Sequence, residues 1–394
     1  MDKIKQAYAK RVNRINRVLS HVLPDRVPVV PAMREWFCHN AGLQTDYAMT
    51  RDWKSLYRSI EKTGQHIYFD AAVSLNMPGV CAEYEALKRG LSLEGSENAL
   101  NESGPAGDRR ESFTMGDEDY PLLAASPSAY LANEVFPAKY KEFLKGNKAD
   151  AKRIYRAMKA SYKKEKILYK TQNALKSNLG IPVIASGSLS LPADFLEGLR
   201  GRRNLFEDMT LRPDEFSAAC EALCTLLLED ALSPFEENPA DENRIIMIEM
   251  PFSSLLRPMD FARHALPYLK RTIESLYSAG CGVLLMLEGD WHNKRDILAE
   301  LPGEKLIGFF EQADLSEYKR TPGIDMTLMG GMPGEVLARG SAADCLKCAE
   351  KCLDEYAPGG NYIFSTDGFL DSPQSAQAEN LTAVCEFVKV NGKY

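Results

Sequence analysis

Eight short apolar runs, rich in β-branched and aromatic residues and separated by longer amphipathic stretches, are the feature that most constrains this chain. The first is RVPVVPAM at Arg26–Met33, and the last is NYIFSTDG at Asn361–Gly368. Most of the runs are continuously apolar, which is typical of parallel strands covered on both faces. The six runs between them are His66–Val73, Ile181–Ser190, Arg244–Pro251, Gly282–Gly289, Leu306–Gln312 and Asp325–Gly331.

Helical patterns lie between several of these runs. One extends from Pro258 to Gly280, opening with Pro and Asp and closing on Gly, and another extends from Ser341 to Tyr356. Pro and Asp favour a helix N-terminus, and Gly favours a C-cap. Eight strands with interleaved helices predict an α/β fold of the (β/α)₈ TIM-barrel type. A doubly wound open sheet is the alternative, although no GxGxxG follows the first strand.

Two regions fall outside the regular alternation. The first twenty residues have apolar positions at helical spacing and predict an N-terminal helical extension. A long insertion follows the second strand. Within it, Leu91–Asp119 predicts a loop at the barrel mouth, and Pro127–Leu179 reads as helical. Its lysine-rich run near Lys163 is a solvated helix face or a partner-docking surface. We expect residues 1–394 to form one domain.

Composition excludes several classes of protein. The net charge is −7, so the chain lacks the overall positive charge that is typical of nucleic-acid-binding proteins. No apolar run approaches the roughly 18 residues of a membrane span. The nine cysteines are an odd number scattered along the chain, which indicates reduced thiols and a cytoplasmic location. The sequence does not indicate an oligomeric state.

Polar residues at the C-terminal ends of the predicted strands are the candidates for chemistry, because barrel active sites form at that edge, here called the mouth. Glu288 and Asp367 each precede a glycine and end a strongly apolar strand, which favours a functional role over helix capping. The strand ends together predict an acidic pocket. Its members include Asp70, Glu249, Glu288, Asp290, Glu311, Asp314 and Asp367, with Arg34 and His292 nearby.

The latter half of the chain resembles the uroporphyrinogen decarboxylase superfamily, which includes cobalamin-dependent methyltransferases. This resemblance implies the same (β/α)₈ barrel and covers most of the chain, most weakly between Leu91 and Gly180. The segments that carry it are EGDW (Glu288–Trp291), Leu301–Arg320, MGGMPGEVLARGSAADC (Met329–Cys345), Gly359–Asn380, PDRVPVVPAM (Pro24–Met33) and HIYFDAA (His66–Ala72).

The resemblance to true porphyrinogen decarboxylases is incomplete. Their MRQAGR pattern holds substrate carboxylates with two arginines, whereas here Met33-Arg34 match and the second arginine position falls at Cys38. Their pyrrole-binding aspartate matches Asp70, but their last-strand histidine is replaced by Asp367. An acidic pocket would also repel a polycarboxylate substrate. These departures argue against porphyrinogen decarboxylation.

The thiol-methylating branch of the superfamily holds zinc with a His-x-Cys pair and a further Cys. Those positions correspond here to Met286, Glu288 and Asp367, which leaves no soft ligand. Oxygen donors suit a harder ion or none. His292 could supply a nitrogen ligand, or it could simply begin the next helix.

The resemblance therefore favours a corrinoid-protein-dependent methyltransferase acting on a small methylated substrate. Its partners would be a corrinoid-binding protein and a small-molecule methyl donor. Its cofactor would be the corrinoid carried by that protein. A divalent metal such as zinc could also bind. A tetrapyrrole decarboxylase and a barrel that binds a ligand without turnover are the alternatives. The predicted catalytic residues are Glu288, Asp367, Asp70 and Glu249, the substrate-binding residues are Arg34, Trp36, Trp291 and Phe369, and the metal ligands are Glu288, His292 and Asp367.

Overall fold

The computed structural model describes residues 2–43, 53–75, 114–140, 146–237 and 244–394. Six parallel strands form one sheet in sequential order. Every residue of the third strand, and of the fourth, is buried, as expected of strands covered on both faces. The strands are β1 (Ala185–Ser190), β2 (Ile245–Glu249), β3 (Gly282–Leu287), β4 (Leu306–Phe310), β5 (Thr327–Met332) and β6 (Tyr362–Thr366).

The first two predicted strands are extended segments rather than regular strands. Val29 forms a parallel bridge with Phe364 of β6, and Ala72 forms one with Val183, just before β1. Asp70 N–H donates to the Val29 carbonyl, so the two segments also meet each other. The fold is thus α/β with the strand order of a (β/α)₈ barrel, but within the described residues the regular sheet has six strands and is not closed.

Local chemistry explains why these two segments do not form regular strands. Pro28 and Pro31 have no N–H to donate to a ladder. The N–H of Val29 donates to the side chain of Asp70 instead of to a neighbouring strand. Each segment therefore keeps only isolated bridges to its neighbours.

Helices cover the sheet from outside; in the described residues seven of them precede β1 and three lie between β1 and β2. The predicted N-terminal helix is confirmed as α1 (Asp2–Leu19). The predicted helical part of the insertion is also confirmed for the described residues. The helices up to β2 are α2 (Trp36–Asn40), α3 (Trp53–His66), α4 (Tyr120–Ala125), α5 (Pro127–Tyr130), α6 (Phe136–Lys139), α7 (Lys148–Ala174), α8 (Pro192–Arg200), α9 (Arg202–Leu211) and α10 (Pro213–Glu237). Most of the predicted loop Leu91–Asp119 lies outside the described residues.

The predicted helix Pro258–Gly280 is divided in two at Ala265, because Pro267 has no N–H to continue the helical ladder. Gly280 ends the pattern with a φ of 77°, a left-handed conformation that glycine adopts without strain. The helices after β2 are α11 (Pro258–His264), α12 (Leu266–Ser278), α13 (Arg295–Leu298), α14 (Leu315–Arg320), α15 (Gly334–Arg339), α16 (Ala342–Tyr356) and α17 (Ala378–Asn391).

Helix α1 closes the end of the barrel opposite the mouth. Its residues Ile15, Val18 and Leu19 pack into the interior cluster formed by all six strands and the two extended segments. The Leu19 carbonyl accepts a hydrogen bond from Lys305 N–H, just before β4. The Val18 carbonyl accepts one from Thr327 Oγ1, at the first residue of β5. Functional groups are therefore left to the opposite edge of the sheet.

Candidate active site

Four carboxylates occupy equivalent places at the mouth. Glu249 is the last residue of β2, and Glu288, Glu311 and Asp367 each follow directly on the last residue of β3, β4 and β6. Parallel strands present their C-terminal ends at one edge, so these side chains lie close together. Asp371 joins them from the loop after β6. These five carboxylates and Arg34 are here called the mouth cluster.

Backbone hydrogen bonds fix two members of the mouth cluster. Glu311 Oε2 accepts a hydrogen bond of 3.0 Å from Gly289 N–H, which joins the end of β4 to the loop after β3. Asp367 Oδ1 accepts one of 2.8 Å from the N–H of Gly334, the first residue of α15. The loop after β3 is thereby held to the end of β4, and the start of α15, after β5, is held to the end of β6.

Arg34 is the cation of the mouth cluster. Its guanidinium lies over the ring of Phe369, with 3.5 Å between its Cζ and the ring centroid. It also lies 3.9 Å from Glu249 Oε1, and its side chain is only 16% exposed. The half-buried Phe369 ring packs edge-on against Phe309. One positive charge thus stands against five carboxylates.

Burial raises the pKa of four of these carboxyls: Glu249, Glu288, Asp367 and Asp371. The charge of Glu311 raises the pKa of Glu288, Asp367 and Asp371 further. Arg34 acts in the opposite direction on Glu249, Glu288 and Asp371. Carboxyls that are desolvated and close to like charges hold their protons at higher pH, and such groups can act as general acids.

The structure does not place Asp70 at the mouth, so that part of the sequence-based site needs correction. Its fully buried carboxylate lies 2.6 Å from Nη1 of Arg14, on α1, and 3.0 Å from Nη2 of Arg26. It also accepts hydrogen bonds from Tyr68 Oη and Val29 N–H. The second segment continues past Asp70 to its bridge at Ala72, so Asp70 is inside the segment and not at its end. Asp70 anchors α1 to the barrel.

The two tryptophans predicted to bind substrate are core residues and do not line the mouth with an exposed ring. Trp36 is 2% exposed, and its Nε1 donates to the Ala376 carbonyl. Trp291 is 1% exposed, donates to the Glu288 carbonyl, and packs edge-on against Phe261. Trp291 thus supports the backbone that carries Glu288. Of the predicted aromatic contacts, only the ring of Phe369 is placed with the mouth cluster.

His292 is not brought together with Glu288 and Asp367. Its Nδ1 lies 2.7 Å from Glu317 Oε2, and its side chain is 58% exposed. Over the described ranges, no group of three or more His, Cys, Asp or Glu side chains is arranged to hold a metal ion. The mouth cluster offers oxygen donors without a sulfur or nitrogen ligand, which does not fit zinc. A bound divalent metal stays a prediction.

Sequence reasoning identified Glu249, Glu288, Asp367 and Arg34 as site residues, placed Glu311 in the predicted acidic pocket without giving it a role, and left out Asp371. Glu311 carried the same signal as Glu288, since it also follows directly on a buried strand. Asp371 lies four residues beyond Asp367 in a loop, where no periodic pattern indicates its direction. Its position depends on the path of the loop after β6.

The fold and the mouth cluster together define a parallel α/β barrel protein with ionisable groups at the C-terminal ends of its strands. Residues 132–390 match the family model for uroporphyrinogen decarboxylase (URO-D). The chain therefore belongs to the URO-D family. No curated protein matches the sequence.

A solved structure supports the fold. The chain is similar to a methyltransferase from Methanosarcina mazei, with a TM-score of 0.61 and 14% sequence identity. The match covers 96% of this chain and 98% of that one. At this identity the similarity establishes the fold alone. In the described part of the chain, no helix is long and apolar enough to cross a membrane.

Proposed function

We propose that this protein is a corrinoid-protein-dependent methyltransferase that moves a methyl group between a small methylated substrate and a cobalamin-binding protein in the cytoplasm. The observation that carries the proposal is the mouth cluster, in which half-buried carboxyls with raised pKa values lie around a single arginine. Membership of the URO-D family and the fold shared with a methyltransferase support it.

The chemistry requires a proton donor near the substrate heteroatom. The bond between the methyl carbon and the heteroatom breaks, and its electron pair stays on the heteroatom. A reduced corrinoid on the partner supplies the electron pair that bonds the methyl carbon. A protonated carboxyl, for which Glu288 and Asp367 are best placed, gives its proton to the heteroatom, so the demethylated product leaves as a neutral hydroxyl or amine compound.

The surroundings of Glu288 and Asp367 suit this role. Asp367 Oδ1 is held by Gly334 N–H, and the backbone at Glu288 is supported by Trp291. Both carboxyls are half-buried, and the negative charge of Glu311 raises the pKa of each, which favours their protonated forms. Glu249 and Arg34 would orient the substrate. No step in this scheme passes through a metal, because the donors of the cluster do not fit zinc.

The mouth also suits a cationic substrate such as a methylated ammonium compound. Five carboxylates favour a positive charge, and the ring of Phe369 offers a cation–π surface. The guanidinium of Arg34 covers that surface, so a cationic substrate must compete with Arg34 for it. A quaternary ammonium group would leave as a neutral amine and would need no proton.

Porphyrinogen decarboxylation is the second candidate, favoured by the family and by the position of Arg34 at the mouth. The excess of carboxylates opposes it, since a polycarboxylate substrate would be repelled. A barrel that binds a ligand without turnover is the third.

One set of assays separates the three candidates. The purified protein is given methyl ethers, methyl thioethers and methylated amines together, in turn, with each cobalamin-binding protein encoded by its source organism, reduced with titanium(III) citrate. We expect the absorption of the reduced corrinoid to disappear with one substrate class, and no change when this protein is left out. Release of CO₂ from uroporphyrinogen without any corrinoid would instead establish the decarboxylase. Silence in both assays would contradict both enzymatic candidates.

A further inference from the structure

Helix α7, in the insertion after the second segment, carries a charge opposite to that of the rest of the chain. Nine of its 27 residues are Lys or Arg, and two are acidic. Outside this helix, 53 acidic residues stand against 39 basic ones. Such a separation of charge favours association with an acidic partner.

One face of α7 combines exposed apolar side chains with lysines. Tyr155, Met158 and Tyr169 are 63%, 67% and 65% exposed. At about 100° per residue, these three side chains lie within about 60° of one another around the helix axis. Lys152, Lys159 and Lys170, all exposed, lie along one side of them. These six residues are here called the α7 face.

The α7 face is turned away from the body of the protein. Ile167 and Leu168 pack against the hydrophobic core, and by the same helical geometry they lie on the side opposite Tyr155. Nearer the N-terminus of α7, the side chains of Lys152, Tyr155, Met158 and Lys159 are all exposed. Apart from the buried Asp150, the described side chains in the first half of the helix are exposed or only partly buried.

The topology places this half toward the mouth. The second segment is parallel to β1, so the insertion must return the chain from the mouth to the opposite edge before β1 begins. The end of α7 lies at that opposite edge, because Arg11 of α1 donates to the carbonyls of Leu179 and Gly180. A helix of this length spans about 40 Å, about twice the length of a strand in this sheet.

We infer that the α7 face docks the protein that carries the corrinoid, and that this partner presents an acidic surface with apolar residues. The inference rests on the proposed function and names its partner surface. A second copy of this chain would bring a helix of equal positive charge to α7, so pairing of two α7 faces is disfavoured. Binding of the α7 face to a nucleic acid or to an anionic membrane is tested as an alternative outcome.

The experiment compares two double variants with the same change of charge. One is Lys152→Glu with Lys159→Glu on the α7 face, and the other is Lys347→Glu with Lys351→Glu on α16. Methyl transfer is measured with the cobalamin-binding protein that exchanges a methyl group with the wild type, and with free reduced cobalamin. We expect the first variant to raise the KM for the corrinoid protein about tenfold at low salt, since surface charges mainly set association. Its rate with free cobalamin, and both rates of the α16 variant, should match the wild type.

The outcomes separate the inference from the proposed function. Equal KM values for the corrinoid protein in both variants, with transfer intact, would overturn the inference and leave the proposed function standing. Transfer to neither form of cobalamin would overturn both. Loss of binding to anionic vesicles or duplex DNA by the α7 variant, without a change in KM, would assign the face to another partner and overturn the inference. As a second variant, Tyr155→Ser with Met158→Ser should raise the same KM.

Discussion

The guanidinium of Arg34 lies over the ring of Phe369, with its central carbon 3.5 Å from the ring centroid. The two residues come from opposite ends of the chain and meet where the first segment lies beside β6. Arg34 is also 3.9 Å from Glu249, so it screens carboxylates while it covers an aromatic face. Its removal would change both the charge and the accessible surface of the mouth cluster.

Replacing Arg34 should shift the pH dependence of methyl transfer. Arg34 lowers the pKa of Glu249, Glu288 and Asp371, so Arg34→Gln should raise all three. If a protonated carboxyl is the acid, the loss of activity at high pH should begin at a higher pH in this variant. The pH profile of kcat/KM tests this, and Arg34→Lys, which keeps the charge, is the control. An unchanged profile in Arg34→Gln would show that the arginine does not tune the catalytic proton.

Amide substitutions of the two proposed acids should abolish turnover and leave the fold intact. Glu288→Gln and Asp367→Asn keep the size of each side chain and remove the proton donor. We expect methyl transfer to fall by about 100-fold or more in each. Glu317→Gln, outside the mouth cluster, is the matched control and should stay near wild type. Circular dichroism checks the fold.

Metal analysis of the same proteins shows whether Glu288 and Asp367 bind a metal cation between them or whether one of them holds a proton. Protein purified without chelator is assayed for bound metal before and after each amide substitution. Occupancy that falls in both variants would mean that a cation lies between the two carboxylates and that the acid role is wrong. Near-wild-type turnover in either variant would also contradict the proposed site.

Asp194 should make stability depend on pH. Its carboxylate accepts hydrogen bonds from Phe252 N–H, Ser253 N–H and Ser253 Oγ, and burial raises its pKa to about 7. The folded pKa exceeds the unfolded value of about 3.9. Between about pH 4 and about pH 7 the folded protein holds a proton that the unfolded chain has released, so the free energy of unfolding falls as the pH rises through this range. The unfolding free energy of the wild type should fall between pH 5 and pH 8, and in Asp194→Asn this fall should be smaller by about 2 kcal/mol.

Urea unfolding at the two pH values measures the effect of Asp194. Asp214→Asn is the control, since Asp214 is exposed in the first turn of α10. Equal pH dependence in the wild type and Asp194→Asn would mean that this carboxyl is already ionised in the folded protein at pH 5.

Asp70 should contribute to stability and not to catalysis. Asp70→Ala leaves the buried Arg14 and Arg26 without the carboxylate they share, and we expect a loss of about 3–5 kcal/mol in unfolding free energy. Asp25→Ala removes the exposed partner of Arg14 and should lower stability by only about 1 kcal/mol. Urea unfolding compares them. A small effect of Asp70→Ala on stability together with a large loss of kcat would return Asp70 to the active site.

Periodicity and composition were sufficient to predict most of the fold. The predicted strands at Arg244–Pro251 and Gly282–Gly289 contain β2 and β3, because a fully buried strand leaves a continuous apolar run in the sequence. The same reasoning overestimated the first two strands. An apolar run shows that a segment is buried, but Pro28, Pro31 and the side chain of Asp70 decide whether it can form a ladder.

The site was predictable where a strand fixed the direction of a side chain. Glu249 and Glu288 end buried strands, so their place at the mouth followed from the strand itself. Asp70 was misplaced because the residue after Phe69 was taken as a strand end, whereas the segment continues. The pairing of His292 with Glu317 depends on two loops that meet only in three dimensions, and sequence spacing does not indicate such contacts.

The N-terminal helix that closes the barrel also sets the order of events during synthesis. The hydroxyl of Thr327 donates a hydrogen bond to the carbonyl of Val18, and the two residues are separated by 309 positions in the sequence. Helix α1 must therefore wait, while the ribosome makes most of the chain, before the strands that it covers exist. Contacts between such distant residues form late, because a long loop has to close first. Until then, the apolar end of the nascent barrel opposite the mouth stays exposed. This is the stage at which a chaperone would be most useful.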